Sequence, residues 1–248
     1  MPDGSRITAS EGGAAVLLLP GLLCDGAVFA GQLDALATRH ECLLGDYLGR
    51  DSLPGMAEAV LARAPPRFVL IAHSMGGRVA LEIVRRAAAR VVALALLDSG
   101  YQGRATGAVG EQEAREREAL LALARTEGMH RMGRVWLPPM VHPARLNDAA
   151  LTGAILAMVE RCPYEVFAAQ VRALLARPDA TEVLRSIRCP TLIACGREDV
   201  WSPLARHEAM AALVPGSRLE VIEACGHMAP MERPTEVSSL LMRWLGSL

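Results

Sequence analysis

The sequence has no surplus of either charge. Its 26 Lys and Arg stand against 27 Asp and Glu, a formal net charge of -1. Nucleic-acid binding therefore has no electrostatic support. Long apolar runs are also missing. The longest, Ala14–Leu19 and Val91–Leu97, fall far short of the roughly 20 residues needed to span a bilayer. The opening Met1-Pro2-Asp3-Gly4-Ser5-Arg6 has neither the basic stretch nor the apolar core of a secretory signal. A cytoplasmic protein without a membrane partner is expected. The 6 cysteines (Cys24, Cys42, Cys162, Cys189, Cys195 and Cys225) form no Cys-x-x-Cys pair, so neither a zinc clip nor a thioredoxin-type site is suggested. In a reducing compartment they are expected as free thiols, mostly packed as small hydrophobes. No repeat recurs at a fixed period.

What is present is 248 residues, 52% hydrophobic and 21% charged, enough to bury a sizeable core. Short apolar runs alternate with longer amphipathic stretches. That alternation predicts an α/β fold, a mostly parallel sheet with helices on both faces. Strands are expected at Ala14–Leu19, Glu41–Asp46, Phe68–Ala72, Val91–Leu97, Pro190–Ala194 and Arg218–Ile222. Helices are expected at Ala27–Thr38, Met56–Arg63, Gly76–Ala89, Pro203–Leu213 and Thr235–Leu245, the second halted by Pro65-Pro66. In the middle, helical spacing takes over at Glu111–Arg125, Leu146–Arg161 and Tyr164–Ala176. Such a block predicts a helical cap, residues 101–185, inserted into a core made of residues 1–100 and 186–248.

Three segments at strand ends carry the chemistry, and in open α/β sheets ligand sites lie at that edge. Ala72-His73-Ser74-Met75-Gly76-Gly77 sits between a strand and a helix. A sharp turn there lifts Ser74 clear of the sheet, and its flanks must be small because strand and helix nearly touch. This is the Gly-x-Ser-x-Gly elbow with Ala72 in place of the first Gly. A serine capping the helix is the plainer alternative. Gly196-Arg197-Glu198-Asp199 follows the fifth strand and offers two acids that could orient a histidine. Asp98, at the end of Val91–Leu97, offers a third. Gly226-His227-Met228-Ala229-Pro230 follows the sixth strand and supplies the histidine. The order serine, acid, histidine is the one hydrolases of this architecture use. Leu17-Leu18-Leu19-Pro20-Gly21-Leu22 leaves the first strand in a tight loop. The backbone N–H groups of Leu22 and Met75 are the expected donors to a developing oxyanion.

The stretches LLLPGLLCD, AHSMGG, CGREDVWSP and CGHMAPMERP resemble the α/β-hydrolase superfamily, of the small esterase and proline-iminopeptidase-like type. The resemblance runs from about Val16 to the C-terminus, with Pro20 where many relatives carry His. It implies an eight-stranded, mostly parallel sheet, a helical cap and no cofactor, and it selects Asp199 as the acid. Residues 1–13 have room for at most one of the extra strands. The implied triad is Ser74, His227 and Asp199. Trp136, Met140, His142, Trp201 and Met228 are candidates for an apolar pocket, and no metal is expected. His73 is expected to pack structurally. The expected activity is cleavage of a carboxylic ester of a small, largely apolar substrate through an acyl-enzyme, by a monomer or homodimer. The alternatives are carbon–carbon, thioester or peptide-type hydrolysis or perhydrolysis on the same triad, or a ligand-binding or signalling module. Dehalogenase action is disfavoured, because that subgroup carries Asp on the elbow.

Overall fold

The computed structural model describes residues 14–248. Six strands form one sheet: β1 (Ala15–Leu19), β2 (Cys42–Leu44), β3 (Phe68–His73), β4 (Val91–Leu97), β5 (Thr191–Gly196) and β6 (Arg218–Ile222). Their order is β2-β1-β3-β4-β5-β6, and every neighbouring pair is parallel. The resemblance implies eight strands; six are present among the described residues, and any strand within residues 1–13 lies outside them. Parallel strands with both faces covered read as unbroken apolar runs, as AVLLL and VVALALL do.

Alternation along each strand sorts the core into two layers. Val16, Leu18, Val69, Ile71, Ala93 and Ala95 point to one face. Leu17, Leu19, Phe68, Leu70, Leu94 and Leu96 point to the other. The first face is covered by α1 (Ala30–Leu36) and by α10 (Pro234–Leu245), which pack on each other. The second is covered by α2 (Leu53–Leu61) and α3 (Met75–Ala87). Ser52 caps α2 by accepting from the Gly55 amide at 3.2 Å, so that helix starts earlier than periodicity alone predicts. The α3 stripe Val79, Ala80, Ile83 and Val84 is buried, as its spacing requires.

Between β4 and β5 the chain is helical: α4 (Gly107–Trp136), α5 (Ala149–Arg161), α6 (Tyr164–Leu175) and α7 (Thr181–Ser186). The expected helix Glu111–Arg125 runs on to Trp136 through a kink at Gly128, where φ is 85°. Only glycine takes such an angle without strain. Helices α5 and α6 both pack on α4. The short α7, which the sequence reading left unassigned, packs instead on α3 and on α8 (Leu204–Leu213). A single turn, α9 (Ala229–Glu232), precedes α10. Among the described residues no helix is long and apolar enough to cross a membrane.

Candidate active site

The chain runs from β1 to β2 on one side, then crosses to β3 on the other side of β1. A crevice opens outside the carboxyl ends of strands at such a switch point. The loop after β1 and the turn after β3 meet there.

Ser74 occupies the turn with φ 53° and ψ -116°, a strained backbone for a non-glycine residue. A Cβ on Gly76 would stand 2.1 Å from the Leu19 carbonyl oxygen, and one on Gly77 would stand 2.1 Å from Ser99 Oγ. Both positions therefore exclude any side chain. Ala72 is fully buried opposite Leu19 in the β1–β3 register, where a methyl group is tolerated. The Ser74 side chain makes no helix-capping hydrogen bond. Its Oγ lies 2.7 Å from His227 Nε2.

His227 Nδ1 lies 2.8 Å from Asp199 Oδ2. The ionised carboxylate only accepts, so Nδ1 carries the proton and Nε2 receives the serine hydroxyl. Asp199 Oδ1 accepts from the amides of Trp201 and Ser202, each at 2.8 Å. Burial pushes this carboxyl up, but the His227 imidazole and the Ser202 amide outweigh it and hold it below 3.8. The other two acids face elsewhere. Glu198 Oε2 accepts from the Cys225 amide at 2.9 Å. Asp98, with φ 49°, accepts from the amides of Gly196 at 2.9 Å and Ala229 at 3.3 Å. Burial first, and then the charge of Asp199, pushes the Asp98 carboxyl well up.

The sequence reading missed how the His227 loop is held. His73 Nε2 donates to the His227 carbonyl at 2.8 Å, and its Nδ1 has no partner. Burial, then the neighbouring His227, draws His73 down to about 3, so it is neutral. Its approach to Asp98 Oδ2 at 3.7 Å is therefore not an ion pair. Glu232 accepts from the amides of His142 at 2.8 Å, Gly226 at 2.9 Å and Met228 at 3.3 Å. The His227 amide donates to the Met140 carbonyl at 2.9 Å, tying this loop to the helical insertion. Glu232 stands in the quoted run CGHMAPMERP, but no local pattern marks an acid that reaches back six residues.

Met75 opens α3, so its amide has no acceptor within the helix. The Leu22 amide has no acceptor among the described residues. Around them, Leu23 N donates to Gln170 Oε1 at 2.9 Å and Tyr47 Oη donates to the Pro20 carbonyl at 2.6 Å. These bonds fix the loop while leaving Leu22 free.

Leu22, Ser74, Met75 and His227 share the wall of a cavity of about 330 Å³. Four of the five pocket candidates line it: Trp136, Met140, Trp201 and Met228. His142 does not. Its backbone amide is taken by Glu232, and its Nδ1 accepts from the Ala144 amide at 3.1 Å, so it closes its own turn behind the His227 loop. Cys24 lies on the wall with its thiol pushed up by burial; such a thiol is a poor nucleophile. Arg78, Glu113, Arg117, Arg177 and Arg206 also line the cavity, and the sequence reading gave none of them a role.

Residues 16–240 match the family model described as the alpha/beta hydrolase family. The chain belongs to the α/β hydrolase family. This hydrolase is 26% identical over 246 residues to a pimeloyl-[acyl-carrier protein] methyl ester esterase of Nitrosomonas europaea, covering 94% of this chain and 96% of that one. It is 26% identical over 251 residues to a putative carbamate hydrolase of Azorhizobium caulinodans, covering 95% and 92%. Among solved structures it resembles a thermophilic esterase from Thermogutta terrifontis with malate bound. There the TM-score is 0.86 and the identity 28%, over 95% of this chain and 90% of the other.

Proposed function

We propose that this α/β hydrolase cleaves carboxylic esters of small, largely apolar substrates through an acyl-enzyme, with Ser74 as nucleophile. The observation that carries the reading is the unbroken hydrogen-bond chain Ser74–His227–Asp199 opening into a mainly apolar cavity. Ester chemistry is favoured over its alternatives by relatives named as esterases. Residues 101–185 act as the cap, placing Trp136, Met140 and Phe167 over the site. Six unpaired cysteines suit a reducing, cytoplasmic setting.

Ser74 Oγ attacks the ester carbonyl as His227 Nε2 takes its proton, and Asp199 stabilises the imidazolium. The Leu22 and Met75 amides hold the carbonyl oxygen as it becomes negative. Such a donor is worth about two to three orders of magnitude in rate. Collapse of the intermediate breaks the bond to the alcohol oxygen, which leaves with the His227 proton. Water, deprotonated by His227, then releases the acid and restores Ser74.

The test is hydrolysis of p-nitrophenyl acetate, butyrate and octanoate by the wild type beside Ser74→Ala, with fluorophosphonate labelling of both. Activity and label that vanish together in the variant support the reading. A wild type no faster than Ser74→Ala sinks it.

A further inference from the structure

A purely apolar ester gives no task to the charges on the cavity wall. Arg78 lies one helical turn beyond Ser74 on α3, half-buried and on the cavity wall. Its Nη1 donates to the Gln102 carbonyl at 2.8 Å, and a Cβ on Gly100 would stand 2.6 Å from its Nη2. Arg206, from α8, donates to the Trp201 carbonyl at 2.7 Å. Arg117 and Arg177 come from α4 and from just past α6. Both are spent on Glu113, whose carboxylate accepts from Arg177 at 2.6 and 2.7 Å and from Arg117 at 2.9 Å. That double pairing outweighs burial and holds Glu113 at about 2. Two further acids line the cavity: Asp98, buried on the amides of Gly196 and Ala229, and Glu116, exposed and accepting from Gln112 at 2.8 Å.

Four guanidinium groups therefore share a wall with the half-buried Glu113, the exposed Glu116 and the buried Asp98, whose carboxyl burial pushes well up. Among the described residues neither Arg78 nor Arg206 has a carboxylate partner. Each spends one nitrogen on main-chain carbonyls, which leaves most of its fork of donors open. Burial, followed by repulsion from Arg177, Arg206 and Arg117, draws Arg78 down to about 9. Cations crowded in this way are unfavourable unless an anion joins them. A planar carboxylate matches the guanidinium fork.

We propose that Arg78 and Arg206 form a carboxylate subsite in the Ser74 cavity, so that the preferred substrate is a short ester that also carries a free carboxylate. The site of cleavage rests on the serine-hydrolase reading; the subsite itself rests on the arginines. Arg78 and Arg206 are binding groups, and the bond broken remains the ester carbonyl–oxygen bond.

The kinetic test compares kcat/KM for matched pairs. Charge on the acyl side is read from p-nitrophenyl monoglutarate against p-nitrophenyl valerate. Charge on the alcohol side is read from O-butyryl glycolate against ethyl butyrate. In at least one pair the charged ester is expected to lead by about tenfold or more, the scale of a charged hydrogen bond. That lead should collapse in Arg78→Gln and in Arg206→Gln, and persist in Arg131→Gln on the outer surface of α4. Arg206→Gln, on a different helix, guards against misfolding in Arg78→Gln. No lead in either pair, or a lead that survives both variants, overturns the proposal. A second arm measures monomethyl glutarate binding to Ser74→Ala by calorimetry, which needs no turnover. Binding that depends on Arg78, in a protein that hydrolyses nothing, would retain the subsite and discard the hydrolase. Ser74-dependent hydrolysis of neutral esters with no such binding would do the reverse. Inorganic phosphate displacing monomethyl glutarate at lower concentration than glutarate does would overturn the carboxylate assignment.

Discussion

Replacing His73 with Gln should flatten the acid limb of the stability curve. Gln can present Nε2 to the His227 carbonyl, which His73 Nε2 now reaches at 2.8 Å, but it cannot titrate. His73 falls from 6.5 to about 3 on folding, first through burial and then through His227. An unfolded His73 therefore takes up a proton below pH 6.5 while the folded one does not. Its contribution to stability is complete above 6.5 and is lost progressively as pH falls toward 3. Between pH 7 and pH 5 that linkage removes about 2 kcal/mol, at about 1.36 kcal/mol per pH unit once the unfolded imidazole is charged. His207, drawn down to about 4 by burial, adds a slope of the same sign, but it is common to both proteins and cancels in the difference. The assay is urea unfolding of the wild type and His73→Gln at the two pH values. The wild type is expected to lose about 2 kcal/mol more than the variant. Equal losses would refute the neutral, enclosed His73 on which the reasoning depends.

Asp199→Asn should lower kcat on p-nitrophenyl butyrate by about four orders of magnitude. Asp98→Asn should cost far less, because Asp98 reaches backbone amides and not the imidazole. Equal losses would return Asp98 to the triad. Gly76→Ala puts a methyl group 2.1 Å from the Leu19 carbonyl. It should destabilise by about 1–3 kcal/mol or more, read as a fall in Tm of about 2–4 °C per kcal/mol. Gln170→Ala strands the enclosed Leu23 amide, at a cost of about 1–3 kcal/mol. It should lower kcat for neutral esters by loosening the Leu22 loop, read by steady-state kinetics alongside thermal melts.

Burial on both faces left Val91–Leu97 an unbroken apolar run, and it matches its strand residue for residue; the edge strand Arg218–Ile222 matches as well, with Arg218 and Glu220 interrupting its apolar residues. Pro190 is no part of β5 because it has no N–H to give the ladder; the strand starts at Thr191 and continues to Gly196. Ser74 and His227 stand out because each follows a strand end in the serine–acid–histidine order, but Asp98, Glu198 and Asp199 all fit the acid's place, and only the resemblance selects Asp199, whose Oδ2 lies 2.8 Å from His227 Nδ1. His142 was misplaced because it lies two residues from Met140, which lines the cavity, and sequence proximity does not say which side of the His227 loop a side chain takes. The cavity arginines were illegible for a different reason. Arg117 and Arg177 lie 60 positions apart in helical sequence, where arginine is an ordinary helix former. Only the packing of α6 on α4 brings both to Glu113. Glu232 and Gln170 likewise act through backbone amides far away in sequence, a role that leaves no spacing rule to detect.

The paired acids explain why one carboxylate can serve His227 while another stands close by. Asp98 and Asp199 are both enclosed, so both lose solvation of their charged form. What separates them is the set of donors each receives. Asp199 gathers the His227 ring and the amides of Trp201 and Ser202. Asp98 gathers the amides of Gly196 and Ala229, the latter long, and faces a neutral His73. Two nearby carboxylates resist simultaneous ionisation, so the better-served one is pushed down and the other up. The directions agree: Asp199 moves down and Asp98 up, with Asp199 itself among the causes for Asp98. The charge of the buried pair is thus favoured on Asp199 over Asp98. The carboxyl held down is the one in line with Ser74 through the imidazole, where the proposed mechanism forms positive charge as the serine is deprotonated.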